Sequence, residues 1–378
     1  MAVPCMTKVR EVLEVEKLNS QQEKAISSLL KGKDVFLSLR TGINQFKFGL
    51  IYSFRGESTE HVQAFREWFS LTGEIRSLIS CPALVITATD SKEARKVNKK
   101  RLALNNCVDI IDSPDRENIK LFVHKLKNTV PIEVTFGWLL KDLSLKKKDC
   151  TRTLIFCSSI KICADVYTAF LMVLDKSVME YVHMFHSCTS ENVKEKIRED
   201  MSDENGNIRV LIATSAAGMS VNYRGINNAV HYSPPKDMDS FVQQLGRAGR
   251  DGSQSFHLLI YNSRHTRKLE LDMKNYIENV DKCRRLQMLE SYDSFPNAKV
   301  VKHLCCDICL RNCECNDKCC LLYQHPYNLF QSDDDSSDDN SCISNETDLR
   351  VMMFLIMKWI QSLNKIFTTL LVSVCYEV

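Results

Sequence analysis

Apolar runs of strand length recur along this chain, separated by stretches of helical period. Five runs predict buried strands: 34–39, 83–89, 153–157, 208–214 and 229–232. Three amphipathic stretches predict helices: Leu18–Ile26, Ile162–Leu174 and Glu191–Met201. Ser20 and Ser190 are the expected N-caps of the first and third helix. Short apolar strands of this kind are typical of parallel sheets covered on both faces, so the pattern predicts an α/β fold.

The first part of the chain is short of strands. Only two of the apolar runs lie before residue 130. A parallel sheet needs neighbouring strands and covered faces, and two strands alone would leave edges unpaired. We therefore expect a truncated first domain, which reflects either a natural inactive form or, as the favoured explanation, loss of an exon.

Composition narrows the class of protein only slightly. With 378 residues and 26% charged residues, the chain is long enough for two globular cores with appendages. A net charge of +3 is too small to indicate nucleic-acid binding by itself. The chain has seventeen cysteines, and its N-terminal stretch, Met1–Leu13, lacks the apolar core of a signal peptide. They therefore predict thiols and metal ligands in a reducing compartment.

Two arginines near residue 250 offer phosphate-binding chemistry. Arg247 and Arg250 are three positions apart with only small residues between them, in the stretch QQLGRAGRDG. This spacing predicts that both lie on one side of a helical turn. Planar guanidinium groups so placed can bind phosphate oxygens in a bidentate manner.

The same region resembles the RecQ family of superfamily-two DNA helicases. The stretch ATSAAGMSVN (213–222) is similar to the family's motif V, ATxAFGMGxD/N, and QQLGRAGRDG (243–252) to its motif VI, QExGRAGRDG. Ser220 stands where the family has glycine, and Gln244 where it has glutamate. The resemblance implies two RecA-like lobes with parallel sheets, the first one truncated, followed by a small helical zinc-binding subdomain.

The resemblance also implies roles for individual residues. Gln243, Arg247 and Arg250 match catalytic positions, with the arginines directed at the γ-phosphate of ATP. Small hydroxyl residues at strand ends match positions that meet the DNA backbone: Ser158, Ser159 and Thr214. Gln22 matches the glutamine that reads the adenine edge.

The expected phosphate-binding loop departs from the family pattern TGxGKS. Thr41 and Gly42 match the start of the loop that would hold ATP and Mg²⁺, and Lys47 is the only lysine available to bind the phosphates. Ile43–Phe46 cannot form the glycine cradle, however, and no serine or threonine follows the lysine. Farther on, Glu57 and His61 lie where a DExH box is expected, without the aspartate that starts it. Normal ATP binding is therefore not expected.

Cysteines near residue 300 predict a zinc site. In line with the RecQ zinc subdomain, the matching set is Cys283, His303, Cys306 and Cys309, with Cys305 as the alternative fourth ligand. Four further cysteines form a second group that could take a separate ion or be surplus: Cys313, Cys315, Cys319 and Cys320.

The predicted domain boundaries follow from these landmarks. They are 1–145 for the truncated first lobe, 146–265 for the second lobe, 266–325 for the zinc subdomain, 326–348 for an acidic disordered linker and 349–378 for an apolar tail. Lys358 and Lys365 interrupt the tail, so no membrane interaction is expected.

Two functions compete at this point. The first is an ATP-dependent 3′–5′ helicase acting on single-stranded DNA and duplex junctions in the nucleus, in recombination and repair, with this chain a fragment or incomplete isoform. The alternative is a catalytically inactive DNA-binding or scaffold protein that uses the second lobe and the zinc module.

Overall fold

The computed structural model describes residues 17–39, 76, 81–87, 91–215, 223–292 and 302–314. The strands are β1 (Val35–Ser38), β2 (Leu84–Thr87), β3 (Val108–Ile111), β4 (Ile119–Lys125), β5 (Arg152–Cys157), β6 (Val182–Phe185), β7 (Val210–Ala213), β8 (Ile226–Tyr232) and β9 (Ser255–Tyr261). The helices are α1 (Ser20–Leu30), α2 (Lys92–Arg101), α3 (Ile132–Thr135), α4 (Gly137–Lys146), α5 (Ile160–Val173), α6 (Lys176–Met179), α7 (Glu191–Ser202), α8 (Met238–Leu245), α9 (Leu271–Glu278), α10 (Arg284–Glu290), α11 (Lys302–Cys305) and α12 (Asp307–Arg311).

The first sheet is parallel and three-stranded, in the order β2-β1-β3. β1 is fully buried between its two neighbours. The expectation of only two strands before residue 130 was wrong, because β3 and β4 both lie there. β3 escaped prediction because Asp109 interrupts its four-residue run and ion-pairs with Lys99.

The second sheet is parallel and six-stranded, in the order β4-β9-β8-β5-β7-β6. This confirms the predicted parallel-sheet α/β class. Since β4 pairs with β9 along its whole length, the predicted boundary between residues 145 and 146 lies too late, and the second sheet already includes Ile119.

Helices cover both faces of the second sheet, as a buried parallel sheet requires. On one face α4 and α5 contribute Trp138, Leu143 and Phe170 to the core. On the other face α7, α8 and the helices after residue 270 contribute Ile197, Phe241 and Tyr276. Ser190 is the N-cap of α7, as predicted, but its side chain does not make the capping hydrogen bond.

Membrane insertion was not expected from the sequence. No helix among the described residues is both long and apolar enough to cross a bilayer. The apolar tail and the acidic stretch before it lie outside the described residues.

One buried carboxylate joins the elements around the first sheet. Asp34 is 2% exposed, and its two oxygens accept hydrogen bonds from Arg76 Nη2 at 2.7 and 2.8 Å. They also accept the backbone N–H groups of Ala83 at 2.8 Å and Asn105 at 2.9 Å. The entries into β2 and β3 are thus bound to the residue that precedes β1.

We expect Asp34→Asn to destabilise the first sheet by about 3 kcal/mol, because the new NH₂ group would face donors and leave Arg76 without its buried partner. Chemical denaturation followed by circular dichroism measures this change. Asp109→Asn is the matched control, because the Asp109 side chain is 36% exposed in its pair with Lys99 and its loss should have little effect. Equal losses in the two variants would contradict the organising role of Asp34.

Candidate functional site

The two predicted arginines lie just after a helix. α8 starts at the N-cap Asp237, whose side chain accepts the Ser240 N–H at 2.6 Å, and ends at Leu245 with Gly246 as C-cap. Arg247 and Arg250 therefore lie in the turn Gly246–Gly252, here named the arginine turn, and the predicted helical turn is corrected to a loop. Gly249 has a φ of +56°, which side-chain-bearing residues rarely adopt and which ends the helical path.

The arginine turn lies at the amino edge of the second sheet. The Gly249 N–H donates to the carbonyl of Ile226, the first residue of β8, at 2.9 Å. Arg250 Nε donates back to the Gly246 carbonyl at 3.3 Å, so its side chain folds over the turn.

Burial makes this turn a concentrated cationic site. Arg247 is 9% exposed, and burial lowers the pKa of its guanidinium to about 10, with a further lowering from the charge of Arg250. Burial also lowers the pKa of Arg250. Two cations that oppose each other in a desolvated site fit a bound anion such as phosphate, which would favour both charges.

Tyr223 faces the same charges and was not singled out from the sequence. It is 1% exposed, and burial raises the pKa of its phenol to about 12, with the charges of Arg247 and Arg250 acting against this rise. Its hydroxyl has no hydrogen-bond partner among the described residues. A tyrosine in an irregular segment after motif V carries no sequence signal for this placement.

A buried polar network anchors α8 to the sheet. His231 Nε2 lies 2.8 Å from Gln244 Oε1, and His231 Nδ1 lies 2.7 Å from His257 Nε2. Because an amide oxygen only accepts, the proton of His231 is on Nε2, and its Nδ1 accepts the Nε2–H of His257. Gln244 is thereby fixed under the helix, and its half-buried neighbour Gln243 occupies the next position on α8. Neither histidine was predicted as a site residue.

The predicted DNA-contacting residues lie at the opposite, carboxyl edge of the sheet. β5 and β7 are neighbours, with Phe156 paired to Ala213, so Ser158 and Thr214 follow adjacent strand ends. Ser158 is exposed and Thr214 is half-buried. The Ser159 hydroxyl is already engaged, because its Oγ accepts the Ile162 N–H at 3.2 Å as the N-cap of α5.

Ser233 belongs to this carboxyl edge as well, directly after β8. It has a φ of +95° and is 5% exposed, and its hydroxyl has no hydrogen-bond partner among the described residues. Left-handed backbone at a non-glycine residue costs about 1 kcal/mol or more, and such strain clusters at functional sites. Nothing in the sequence besides the two following prolines indicated it.

Gln22 lies in the first turn of α1. Asn19, and not Ser20, is the N-cap of α1, and its side chain accepts the Gln22 N–H at 2.8 Å. In return Gln22 Oε1 accepts the Asn19 N–H at 2.9 Å, which completes a capping box. The amide oxygen is thus engaged in holding the helix start. Thr41, Gly42 and Lys47, together with Glu57 and His61, lie outside the described residues.

Four cysteine sulfurs meet between α10 and α12. The Sγ atoms of Cys283, Cys305, Cys306 and Cys309 all lie within 4.8 Å of one another. Zn–S bonds of about 2.3 Å in a tetrahedron require S···S distances of about 3.8 Å, so this set fits zinc. The neighbouring thiols Cys305, Cys306 and Cys309 lower the pKa of Cys283, which favours the thiolate that a metal needs.

His303 lies outside this cluster, and its expected place is taken by Cys305. Its Nδ1 is instead 3.7 Å from the sulfur of Cys313. His303 and Cys305 are two positions apart on the single turn of α11, about 200° around the helix axis, so only one can face the other thiols. The remaining cysteines of the second predicted group, Cys315, Cys319 and Cys320, lie outside the described residues.

Comparison with known proteins matches the region that holds these features. The helicase conserved C-terminal domain model matches residues 137–252. The ATP-dependent helicase wrn-1 of Caenorhabditis elegans is 26% identical over 269 residues, which are 65% of this chain and 24% of that protein. The bifunctional 3′-5′ exonuclease/ATP-dependent helicase WRN of Mus musculus is 26% identical over 294 residues, 72% of this chain and 20% of that protein.

A bacterial relative shares a shorter segment at higher identity. The ATP-dependent DNA helicase RecQ of Bacillus subtilis is 31% identical over 122 residues, which are 29% of this chain and 20% of that protein. The matched segments thus span at most 24% of the length of each of these three relatives.

We expect acid to weaken the fold through His231. Burial lowers the pKa of His231 to about 4, below its ordinary value of about 6.5, since a second proton on Nδ1 would face the Nε2–H of His257. Between about pH 6.5 and 4 the unfolded chain binds a proton that the folded chain does not. The free energy of unfolding should therefore decrease as the pH is lowered through that window, and His231 should contribute roughly 3 kcal/mol to this decrease.

Urea unfolding at pH 7.5, 6 and 5 measures this dependence. His231→Gln removes the titrating group, so the variant should show a shallower loss of stability on acidification. An equal pH dependence in the variant and the parent protein would contradict the assignment to His231.

Proposed function

We propose that this chain, which belongs to the RecQ family of superfamily-two helicases, is an incomplete form of an ATP-dependent 3′–5′ DNA helicase of recombination and repair in the nucleus, with impaired ATP hydrolysis. The observation that carries this proposal is the cationic pair of buried Arg247 and half-buried Arg250 on the arginine turn. The paired charges support the binding of a polyphosphate at the amino edge of the second sheet.

The domain division belongs to this proposal. It retains a first RecA-like lobe, a second lobe that starts at β4 and ends near residue 265, and a zinc subdomain over residues 266–325. An acidic linker (326–348) and an apolar tail (349–378) complete the division.

The arginine turn supplies the electrostatic part of the proposed reaction. ATP with Mg²⁺ provides the phosphoryl group and its charge. Arg247 and Arg250 stabilise the negative charge that develops on the γ-phosphate, and their burial strengthens the interaction because water screens it less. Gln243 contributes a polar group from the end of α8. From the first lobe, Gln22 would bind the adenine edge, and Thr41, Gly42 and Lys47 would bind the phosphates.

DNA would bind at the carboxyl edge of the second sheet. Ser158 and Thr214 present hydroxyl groups after neighbouring strands, and the backbone at Ser159 marks the N-terminus of α5. Contacts of this type bind phosphates and sugars without reading bases, so binding should be insensitive to sequence and weakened by salt. The proposed substrates are single-stranded DNA and duplex junctions.

The alternative is a catalytically inactive DNA-binding or scaffold protein that uses the second lobe and the zinc module. The observation that favours it is the sequence Ile43–Phe46, which replaces the glycines of the phosphate-binding loop. This proposal predicts DNA binding without a nucleotide effect.

DNA-stimulated ATP hydrolysis separates the two proposals. For the helicase we expect Arg247→Ala and Arg250→Ala to lower kcat by about 100-fold, since each removes a donor to developing charge. Arg224→Ala is the control, because the Arg224 side chain is 58% exposed in its pair with Glu204. This variant should hydrolyse ATP as fast as the parent protein does. A parent protein without DNA-stimulated hydrolysis, but with salt-dependent DNA binding unchanged by nucleotide, would establish the alternative.

Zinc content tests the ligand set independently of activity. We expect Cys305→Ala to lose bound zinc because it removes one of four converging thiols, whereas His303→Ala should retain one zinc per chain. Elemental analysis of the purified proteins measures both. Loss of zinc in the His303 variant with retention in the Cys305 variant would restore the histidine-containing set.

A further inference from the structure

The arginine turn is connected to the cysteine cluster through a short segment, Asp115–Asn118, that precedes β4. We propose that Asn118 and Arg285 are positioning residues that couple metal binding by the cysteines to the conformation of the arginine turn. The catalytic consequence of this coupling rests on the role proposed above for Arg247 and Arg250, but the coupling itself does not.

Asn118 joins the middle of the arginine turn to the residue that follows the turn. Its Nδ2 donates to the Gly249 carbonyl at 2.8 Å and to the Ser253 carbonyl at 2.7 Å. Its own carbonyl accepts the Ser255 N–H at 2.8 Å, where β9 begins. One amide group thus uses both of its protons to set the distance between two backbone carbonyls.

The contact is close enough to restrict the turn to glycine. A Cβ added at Gly249 would lie 2.4 Å from Asn118 Nδ2, and the φ of +56° there is itself unfavourable for other residues. The backbone of the arginine turn and the side chain of Asn118 therefore fit as one unit. A shift of Asn118 must move the carbonyl between Arg247 and Arg250 or break its hydrogen bond.

Arg285 fixes the segment that carries Asn118. This arginine is 1% exposed and donates to the Asp115 carboxylate, to the Arg116 carbonyl at 2.8 Å and to the Ile119 carbonyl. The bonds to Arg116 and Ile119 lie on either side of Asn118. A buried guanidinium with several fixed acceptors leaves the segment little freedom, because any displacement would leave a buried charge without partners.

Arg285 is also bound to the cysteine cluster through its own helix. It lies two residues after Cys283, the N-cap of α10. Adjacent Arg284 donates to Asp307 at 2.6 Å, next to Cys306. Cys306 in turn forms a β-bridge with Leu121 of β4. A metal that draws the four sulfurs together would therefore fix α10, then Arg285, and then Asn118.

Hydrogen exchange of the turn measures this coupling without any assay of activity. The zinc-loaded protein and the protein treated with a chelator are compared by mass spectrometry of peptides that cover residues 246–255. We expect chelation to raise amide exchange in these peptides by about tenfold, because hydrogen bonds that close the turn are weakened. In Asn118→Ala, exchange should be high already, and chelation should add little.

Asn227→Ala is the matched control. Asn227 Nδ2 donates to Ser253 Oγ at 2.7 Å, so it contacts the same turn, but it has no link to Arg285. This variant should keep the full response to chelation. Arg285→Lys, which keeps the charge and loses the planar fork, should reduce the response while zinc content stays at that of the parent.

The proposal is overturned if chelation leaves exchange at residues 246–255 unchanged, if Asn118→Ala retains the response, or if the protein binds no zinc. Absence of ATP hydrolysis in all variants would instead count against the proposed function and would leave the exchange result to decide the coupling. Where hydrolysis is present, Asn118→Ala should lower kcat with little change in KM for ATP, and Asn227→Ala should change neither.

Discussion

Parallel pairing in the second sheet is the constraint on which the candidate site depends. β8 is flanked by β5 and β9, and all three run in the same direction. A chain that leaves β8 at the carboxyl edge must therefore return to the amino edge before it can start β9. α8 makes this return, and the arginine turn lies where the return ends. The hydroxyl residues after β5 and β7 consequently lie about 20 Å away, one strand length, at the other edge.

Because of this geometry, α8 connects the two edges of the sheet. The helix starts after Ser233, which follows β8 at the carboxyl edge, and it ends at Gly246 at the amino edge. Beneath it, the bonds from Gln244 to His231 and from His231 to His257 are fully buried, so they resist rotation of the helix at the cost of requiring a neutral His231. The glutamate that the RecQ pattern has at this position would place a carboxylate next to His231 and favour its charged form. The amide in this chain keeps the network neutral.

The sequence predicted the central strands and both arginines because their signals are local. Apolar runs such as 153–157 and 208–214 correspond to β5 and β7 with boundaries shifted by one or two residues. β3 was missed because four residues with a charge among them do not form an apolar run. The sequence could not decide between His303 and Cys305 as the fourth ligand, since both side chains are zinc ligands at acceptable spacing. Only the helical phase of α11 decides which of them faces Cys283.

Residues whose role depends on distant neighbours lay beyond sequence reasoning for the same reason. Asn118 and its partner Gly249 are 131 positions apart in the sequence. They come into contact only because β4 pairs with β9. Tyr223 experiences the charges of Arg247 and Arg250 only when the arginine turn folds back to the start of β8. In both cases tertiary structure creates the environment, and the side chain itself is unremarkable.

The arginine turn finally shows why the glycine between the two arginines matters physically. Burial lowers the pKa of both Arg247 and Arg250, and the charge of Arg250 lowers the pKa of Arg247 further. The turn keeps them together because the Gly249 N–H donates to the Ile226 carbonyl and the Gly249 carbonyl accepts from Asn118 Nδ2, at a residue with left-handed φ. Stability of the backbone thus offsets an electrostatic cost in the side chains. An anion bound by the guanidinium groups would favour their charged forms and relieve that cost, most of all when its negative charge is concentrated.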